Sequence, residues 1–175
     1  LTLIFSASAQ DGMKGTYLLG ATQDITSTGW SDIAITPSVG YFVSDNIAVG
    51  LGFSLANTND NGDKATVGEN KTSTIEFSPF LRYYMDDKLF LVAGIGLTNG
   101  TSTMSMDGVD DVETKMSAFG FNVGAGLSLM WGERVAIEPA FMIGTSSSSM
   151  EAGGTSTDGE SGLNAGFQIG LSLRM

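Results

Sequence analysis

Four charged residues of this chain fall where their neighbours would keep water away: Glu76, Arg82, Glu138 and Arg174. Each lies in a segment that alternates large apolar residues with small or uncharged ones, and each takes the small-residue phase. A carboxylate or guanidinium held out of water is strongly unfavourable unless an opposite charge and hydrogen bonds compensate it. The two acids and two bases are therefore expected to form an interior polar network, with Arg82 and Glu138 as its ion pair and Glu76 and Arg174 extending it. Asn122, Asn164 and Gln168 share the same phase. Such a network reads as a static polar filling; the alternative is a gate over a small ion path.

Other chemistry has little to work with. The chain has no histidine and no cysteine, which removes the usual general base and the thiol ligands of zinc sites. Carboxylate-only hydrolysis needs a facing pair of acids, and Glu76 and Glu138 are accounted for by interior pairing. Acidic residues also cluster at Asp107, Asp110, Asp111 and Glu113. Oxygen ligands suit calcium, but this spacing fits no EF-hand loop, so solvated loop charge is the reading. No catalytic, cofactor-binding or metal-binding residue is assigned. A formal net charge of −11 leaves no basic patch for phosphates and argues against nucleic acid.

The elements that must position these side chains are strands. Asn46 to Ala56 alternates without a miss, with Ile47, Val49, Leu51, Phe53 and Leu55 on one face and Ala48, Gly50, Gly52, Ser54 and Ala56 on the other. A strand on a soluble core would show charge to water, whereas this second face is tiny and uncharged. It suits a crowded interior, with the large residues facing lipid. Similar segments run from about Met13 to Thr22, Ser31 to Val43, Thr72 to Met85, Lys88 to Thr98, Thr114 to Trp131, Arg134 to Gly144 and Ser161 to Met175, eight in all. Their connections alternate long and short. Asn57 to Lys71, Asn99 to Glu113 and Thr145 to Glu160 read as long loops, and turns at Asp45, Asp86-Asp87 and Gly132 as short ones. That order predicts an all-β, eight-stranded, antiparallel up-and-down transmembrane β-barrel, with long loops outside the cell and short turns in the periplasm.

Supporting details agree. No stretch approaches the ~20 apolar residues of a spanning helix. Pro37, Tyr41, Asp45 and Ile47 recur 42 residues later as Pro79, Tyr83, Asp87 and Leu89, a hairpin-sized echo. The three prolines, Pro37, Pro79 and Pro139, predict bulges or ladder defects. Tyr17, Tyr41, Phe42, Tyr83, Tyr84, Phe90 and Trp131 gather toward the short turns, and Trp30, Phe53, Phe77, Phe119, Phe141 and Phe167 toward the loops, as two interfacial girdles would. Residues 1–10 resemble the end of a secretory signal peptide, with Ala7-Ser8-Ala9 as the cleavage motif, which leaves residues 11–175 as one barrel domain.

The segments TPSVGYFVSDNIAVGLGFSL and FSPFLRYYMDDKLFLVAGIGL are similar to the barrel-domain family common in Bacteroidetes, and the whole pattern resembles the OmpA/OmpX-like eight-stranded outer-membrane barrels. One departure is the end: such barrels usually finish on an aromatic residue, and this chain finishes Leu173-Arg174-Met175. The resemblance implies export to the bacterial outer membrane, contact with its lipid and lipopolysaccharide, a monomer, and no enzyme activity. It also implies loops that serve adhesion, surface protection or binding of an extracellular protein. The alternatives are a small-solute or ion channel and a secreted lipocalin-like binder of an apolar ligand, which would need the large aliphatic residues inside.

Overall fold

A computed structural model describes residues 12–24, 35–60, 68–86, 88–159 and 161–175. The signal-peptide reading, Trp30 and Asp87 lie outside the described residues. The strands are β1 (Tyr17–Asp24), β2 (Thr36–Ser44), β3 (Ile47–Asp60), β4 (Glu69–Tyr84), β5 (Leu89–Met106), β6 (Val109–Leu127), β7 (Leu129–Trp131), β8 (Val135–Ala152), β9 (Thr155–Asp158) and β10 (Gly162–Arg174). Every pairing is antiparallel, neighbours in sequence pair in turn, and β10 closes on β1 through Leu18 opposite Arg174 to Asp24 opposite Gln168. The β6 and β7 segments continue one another in the same register against β8, separated only by Ser128. With β9 and β10 likewise returning along β8, the ten segments make a ring of eight strands.

The alternation sets the two faces of this wall. Leu51, Leu91, Ile95, Phe121, Leu129, Phe141 and Ile169 are exposed on the outside, while Leu18, Phe42, Ala48, Tyr84, Phe90 and Ala136 are buried inside. A soluble barrel that held an apolar ligand would show the reverse. On β5 the outward apolar run from Leu89 to Leu97 covers roughly 25 Å of strand, close to the height of a lipid-facing band. Phe53, Phe77, Leu97 and Phe119 form one cross-strand row at its upper edge, and the Phe53 and Phe77 rings stand 5.4 Å apart. At the other end Tyr17 and Tyr41 meet edge to face at 5.4 Å.

Two of the expected long loops, 99–113 and 145–160, are mostly strand where they are described. The β5–β6 hairpin pairs up to Met106 opposite Val109, so only Asp107 and Gly108 connect it, and β8 turns into β9 through Gly153 and Gly154. Gly108, Gly153 and Gly154 all have positive φ, as tight hairpin turns require. The polar composition of 99–113 and 145–160 points to loops, yet these stretches are rich in Thr, Ser and Val, residues at home on a two-sided solvated ladder. The wall is accordingly uneven. Beyond Leu97 the β5–β6 hairpin continues for roughly 30 Å of strand, whereas β2, with Ile35 already outside it, spans 9 residues.

All three prolines mark ladder ends or gaps rather than register shifts. Pro37 lies just past the last β2–β3 pair, Ser38 opposite Gly52; the β4–β5 ladder skips Ser78 and Pro79; and the β6/β7 interruption faces Glu138 and Pro139. A proline has no amide hydrogen to give the ladder, so the pairing lapses while the register survives.

Candidate functional site

Near the short-turn end the lumen is filled. Tyr84 stands between Phe42 and Phe90, with ring centroids 5.4 and 5.6 Å away, and all three are essentially buried. These three were expected in the outer girdle and are instead inside. Their parity carries the signal: each adjoins an outward residue, Tyr41, Tyr83 or Leu89, and successive strand residues face opposite sides. The rings need room, which glycine supplies. A side chain at Gly126 would collide with the Phe90 ring, and one at Gly50 with the Phe80 ring.

The polar part of the filling sits on this aromatic layer. Arg82 Nη1 donates to Glu138 Oε2 at 2.5 Å, and Glu138 is 2% exposed against 8% for Arg82. The other carboxylate oxygen, Oε1, accepts from Ser128 Oγ at 3.2 Å. Ser128 is the residue at which β6 gives way to β7, and its own amide donates out of the β6–β8 ladder to the Lys88 carbonyl at 2.5 Å. Arg174 Nη2 in turn donates to Ser128 Oγ at 2.8 Å, and Arg174 Nη1 lies 3.4 Å from Met13 Sδ. The guanidinium of Arg82 faces Phe90 at 4.8 Å and Phe80 at 5.3 Å, and that of Arg174 faces Tyr84 at 5.2 Å. Cation–π contacts of this kind compensate part of the lost hydration.

The four sequence-derived residues are thus unequally placed. Arg82 and Glu138 are brought together. Arg174 joins them through Ser128 rather than through a carboxylate. Glu76 is not brought to the pair: its Oε1 accepts from Ser78 Oγ at 2.7 Å. Six residues separate it from Arg82 along β4, about 20 Å at the rise of a strand, so one face does not imply one cluster. Between them lies a cavity of about 160 Å³ lined by Glu76, Ser78, Arg82, Asn122, Glu138 and Gln168 among others. Ser128 and Met13 were missed by sequence reasoning. Ser128 shares the inward phase of Gly124 and Gly126, which was the available signal.

Met13 closes the end from below. It is buried, and its segment is tied to the wall by Gly15 N to the Phe42 carbonyl at 2.9 Å and Phe42 N to the Thr16 carbonyl at 3.0 Å. The neighbouring turn is fixed by Asp86, whose carboxylate accepts the backbone amides of Leu89 at 2.6 Å and Lys88 at 2.7 Å. These bonds hold its carboxyl below the usual carboxylate range.

One buried hydroxyl sits outside this network. Ser172 Oγ has no hydrogen-bond partner among the described residues. Removing such a group relieves an unsatisfied polar atom, so Ser172→Ala is expected to raise stability by about 1 kcal/mol in urea unfolding. A loss of stability would mean that Ser172 holds a partner in solution.

Among the described residues no group of three or more acidic, histidine or cysteine side chains is placed to hold a metal ion. No curated protein matches the chain. Among solved structures it is similar to Ail, the attachment invasion locus protein of Yersinia pestis, at 12% identity and a TM-score of 0.51 over 93% of this chain and 100% of that one. Ail in complex with the heparin analogue sucrose octasulfate gives 10% identity and 0.53 over the same shares. The N-terminal β-barrel domain of Pseudomonas aeruginosa OprF gives 10% and 0.46, over 93% of this chain and 98% of that one. Residues 1–174 match the outer membrane protein beta-barrel domain. The chain therefore belongs to that family, as a closed antiparallel barrel of the bacterial outer membrane.

Proposed function

We propose that the protein is a non-enzymatic outer-membrane scaffold. It presents a rigid, acidic, Ser/Thr-rich hairpin sheet to the outside for adhesion, surface protection or partner binding. The observation that supports this reading is the asymmetry of the barrel. One end of the lumen is filled by Glu138, Arg82, Tyr84, Phe42 and Phe90, while at the other end strands keep pairing well past the apolar belt. A filled eight-stranded barrel has little bore to conduct through, which disfavours the channel reading. Export by a signal peptide and a monomeric state complete the proposal. The net charge of −11 disfavours a polyanionic partner of the kind seen in the Ail complex.

Orientation is the direct test. Protease added to intact cells is expected to cut at the hairpin tips, Asp107-Gly108 or Gly153-Gly154, and to spare the turns at Asp45 and Gly132. Cutting at Asp45 or Gly132 in intact cells would invert the barrel and end the proposal that the hairpins face outward.

A further inference from the structure

Glu76 is the lumen charge that the interior network leaves uncompensated. It faces inward on β4, paired across the ladders with Ser54 and Thr98, while its neighbours Ile75 and Phe77 point outward. It is half-buried. Among the described residues two ion pairs form, Lys71 with Glu69 and Arg82 with Glu138, and neither includes Glu76. Its one hydrogen bond, from Ser78 Oγ at 2.7 Å, comes from a neutral donor. A carboxylate held in a narrow lumen without a counter-charge is unfavourable, and it draws in a cation where space and oxygen ligands allow.

Both are present. The cavity of about 160 Å³ beside it is several times the ~30 Å³ that a water molecule takes up in the liquid, room for an ion with part of its water shell. Its polar lining is rich in oxygen, with Thr22, Ser78, Asn122 and Gln168 alongside Glu76. Asn122 lays its side-chain carbonyl over bare backbone, since a Cβ at Gly94 would come within 2.9 Å of Oδ1. The charged residues of the lining are Glu76, Glu138 and Arg82, and Arg82 is taken by Glu138, so one negative charge is left over. Arg174 does not balance it. That guanidinium reaches Ser128 and Met13 and faces Tyr84, which lies eight residues below Glu76 on β4, roughly 26 Å at the rise of a strand.

We propose that this cavity holds one hard monovalent cation, sodium or potassium, with Glu76 as its charge partner and Ser78 and Asn122 as neutral oxygen ligands. Ser78 gives its proton to Glu76 and so keeps its lone pairs for the ion. Hard cations take oxygen ligands, and a single carboxylate balances a single positive charge. A divalent ion would leave the lumen with surplus positive charge, and among the described residues no group of three acidic side chains is placed to hold one. The net charge of −11 raises the concentration of cations around the molecule. Below the cavity the aromatic layer of Phe42, Tyr84 and Phe90 is buried, so the ion is bound in a blind space and does not pass through.

The probe is sodium chloride exchanged for choline chloride at fixed ionic strength, choline being too bulky to share the cavity with its lining. The full chain is unfolded by urea in an uncharged detergent. Sodium is expected to raise the midpoint, and once the site is saturated the unfolding constant should fall about tenfold for each tenfold rise in sodium, as one bound ion requires. Glu76→Gln keeps the size of the side chain and is expected to unfold at the same urea concentration in both salts. Asp110→Asn with Asp111→Asn, at exposed positions of the hairpin, is expected to retain the parent's sodium dependence, which separates a bound ion from general screening. Equal midpoints for the parent in sodium and choline would overturn the proposal, and so would a sodium dependence that survives Glu76→Gln. Crystals of the parent soaked in thallium(I) acetate, a heavy stand-in for potassium, give a reading that needs no variant. An anomalous peak beside Glu76 is expected; thallium found only elsewhere would overturn the site. None of these outcomes bears on whether the hairpins face outward, which the protease experiment reads separately.

Discussion

Glu138→Ala is expected to destabilise the barrel by about 3 to 5 kcal/mol, measured by urea unfolding in detergent. The carboxylate is the hub of the interior cluster: it accepts Arg82 at one oxygen and Ser128 at the other, and Ser128 in turn accepts Arg174. Among the described residues, its removal takes away the carboxylate that Arg82 is paired with and strands that guanidinium, which is 8% exposed. The cost is that of an unpaired buried charge rather than the net worth of the pair. Arg82→Ala combined with Glu138→Ala should therefore recover part of the loss, and a double-mutant cycle should show the difference as coupling. Additive losses would mean that the two side chains do not depend on each other in solution. Because burying an ion pair is itself expensive, this arrangement reads as a device that fixes how the lumen closes more than as a source of net stability.

The second large effect concerns the other face of the same wall. Leu51 is exposed on β3, opposite Val39 on one side and Pro79 on the other, midway along the outward apolar run from Ile47 to Leu55. Leu51→Arg should cost roughly 2 to 4 kcal/mol in lipid, because a guanidinium at mid-depth must leave water or drag it in. Thr101→Arg lies on the same outward face but beyond Leu97, past the belt, and should cost about 1 kcal/mol or less. The contrast separates a lipid-facing surface from a merely apolar one. Equal costs at the two positions would place the bilayer somewhere other than between the two aromatic ends.

Strand alternation makes most of this architecture readable in the amino-acid sequence. It places Leu51, Leu91, Phe121 and Ile169 outside and Ala48, Arg82 and Glu138 inside, because a period of two leaves no third choice. The hairpins beyond the belt are harder to read. Once both faces meet water, apolar alternation stops, and a Thr/Ser-rich ladder has the composition of a loop. The remaining signals are the turn pairs Asp107-Gly108 and Gly153-Gly154. The girdle expectation for Phe42, Tyr84 and Phe90 fails for a different reason: it weighs residue type above parity, and parity decides. Glu76 shows the limit of parity itself, which fixes the face of a side chain but not the partner it reaches. Its neighbour on that face is Ser78, two residues along the same strand.

A lumen shut by packed side chains is central to the scaffold reading, and planar-bilayer conductance of the purified chain tests it most directly. The parent barrel should pass essentially no current above the bare-bilayer background, since Arg82, Glu138, Tyr84 and Phe90 fill the bore beneath the 160 Å³ cavity. Steady single-channel steps from the parent would contradict the closed-scaffold reading and move the ion-channel alternative ahead of it.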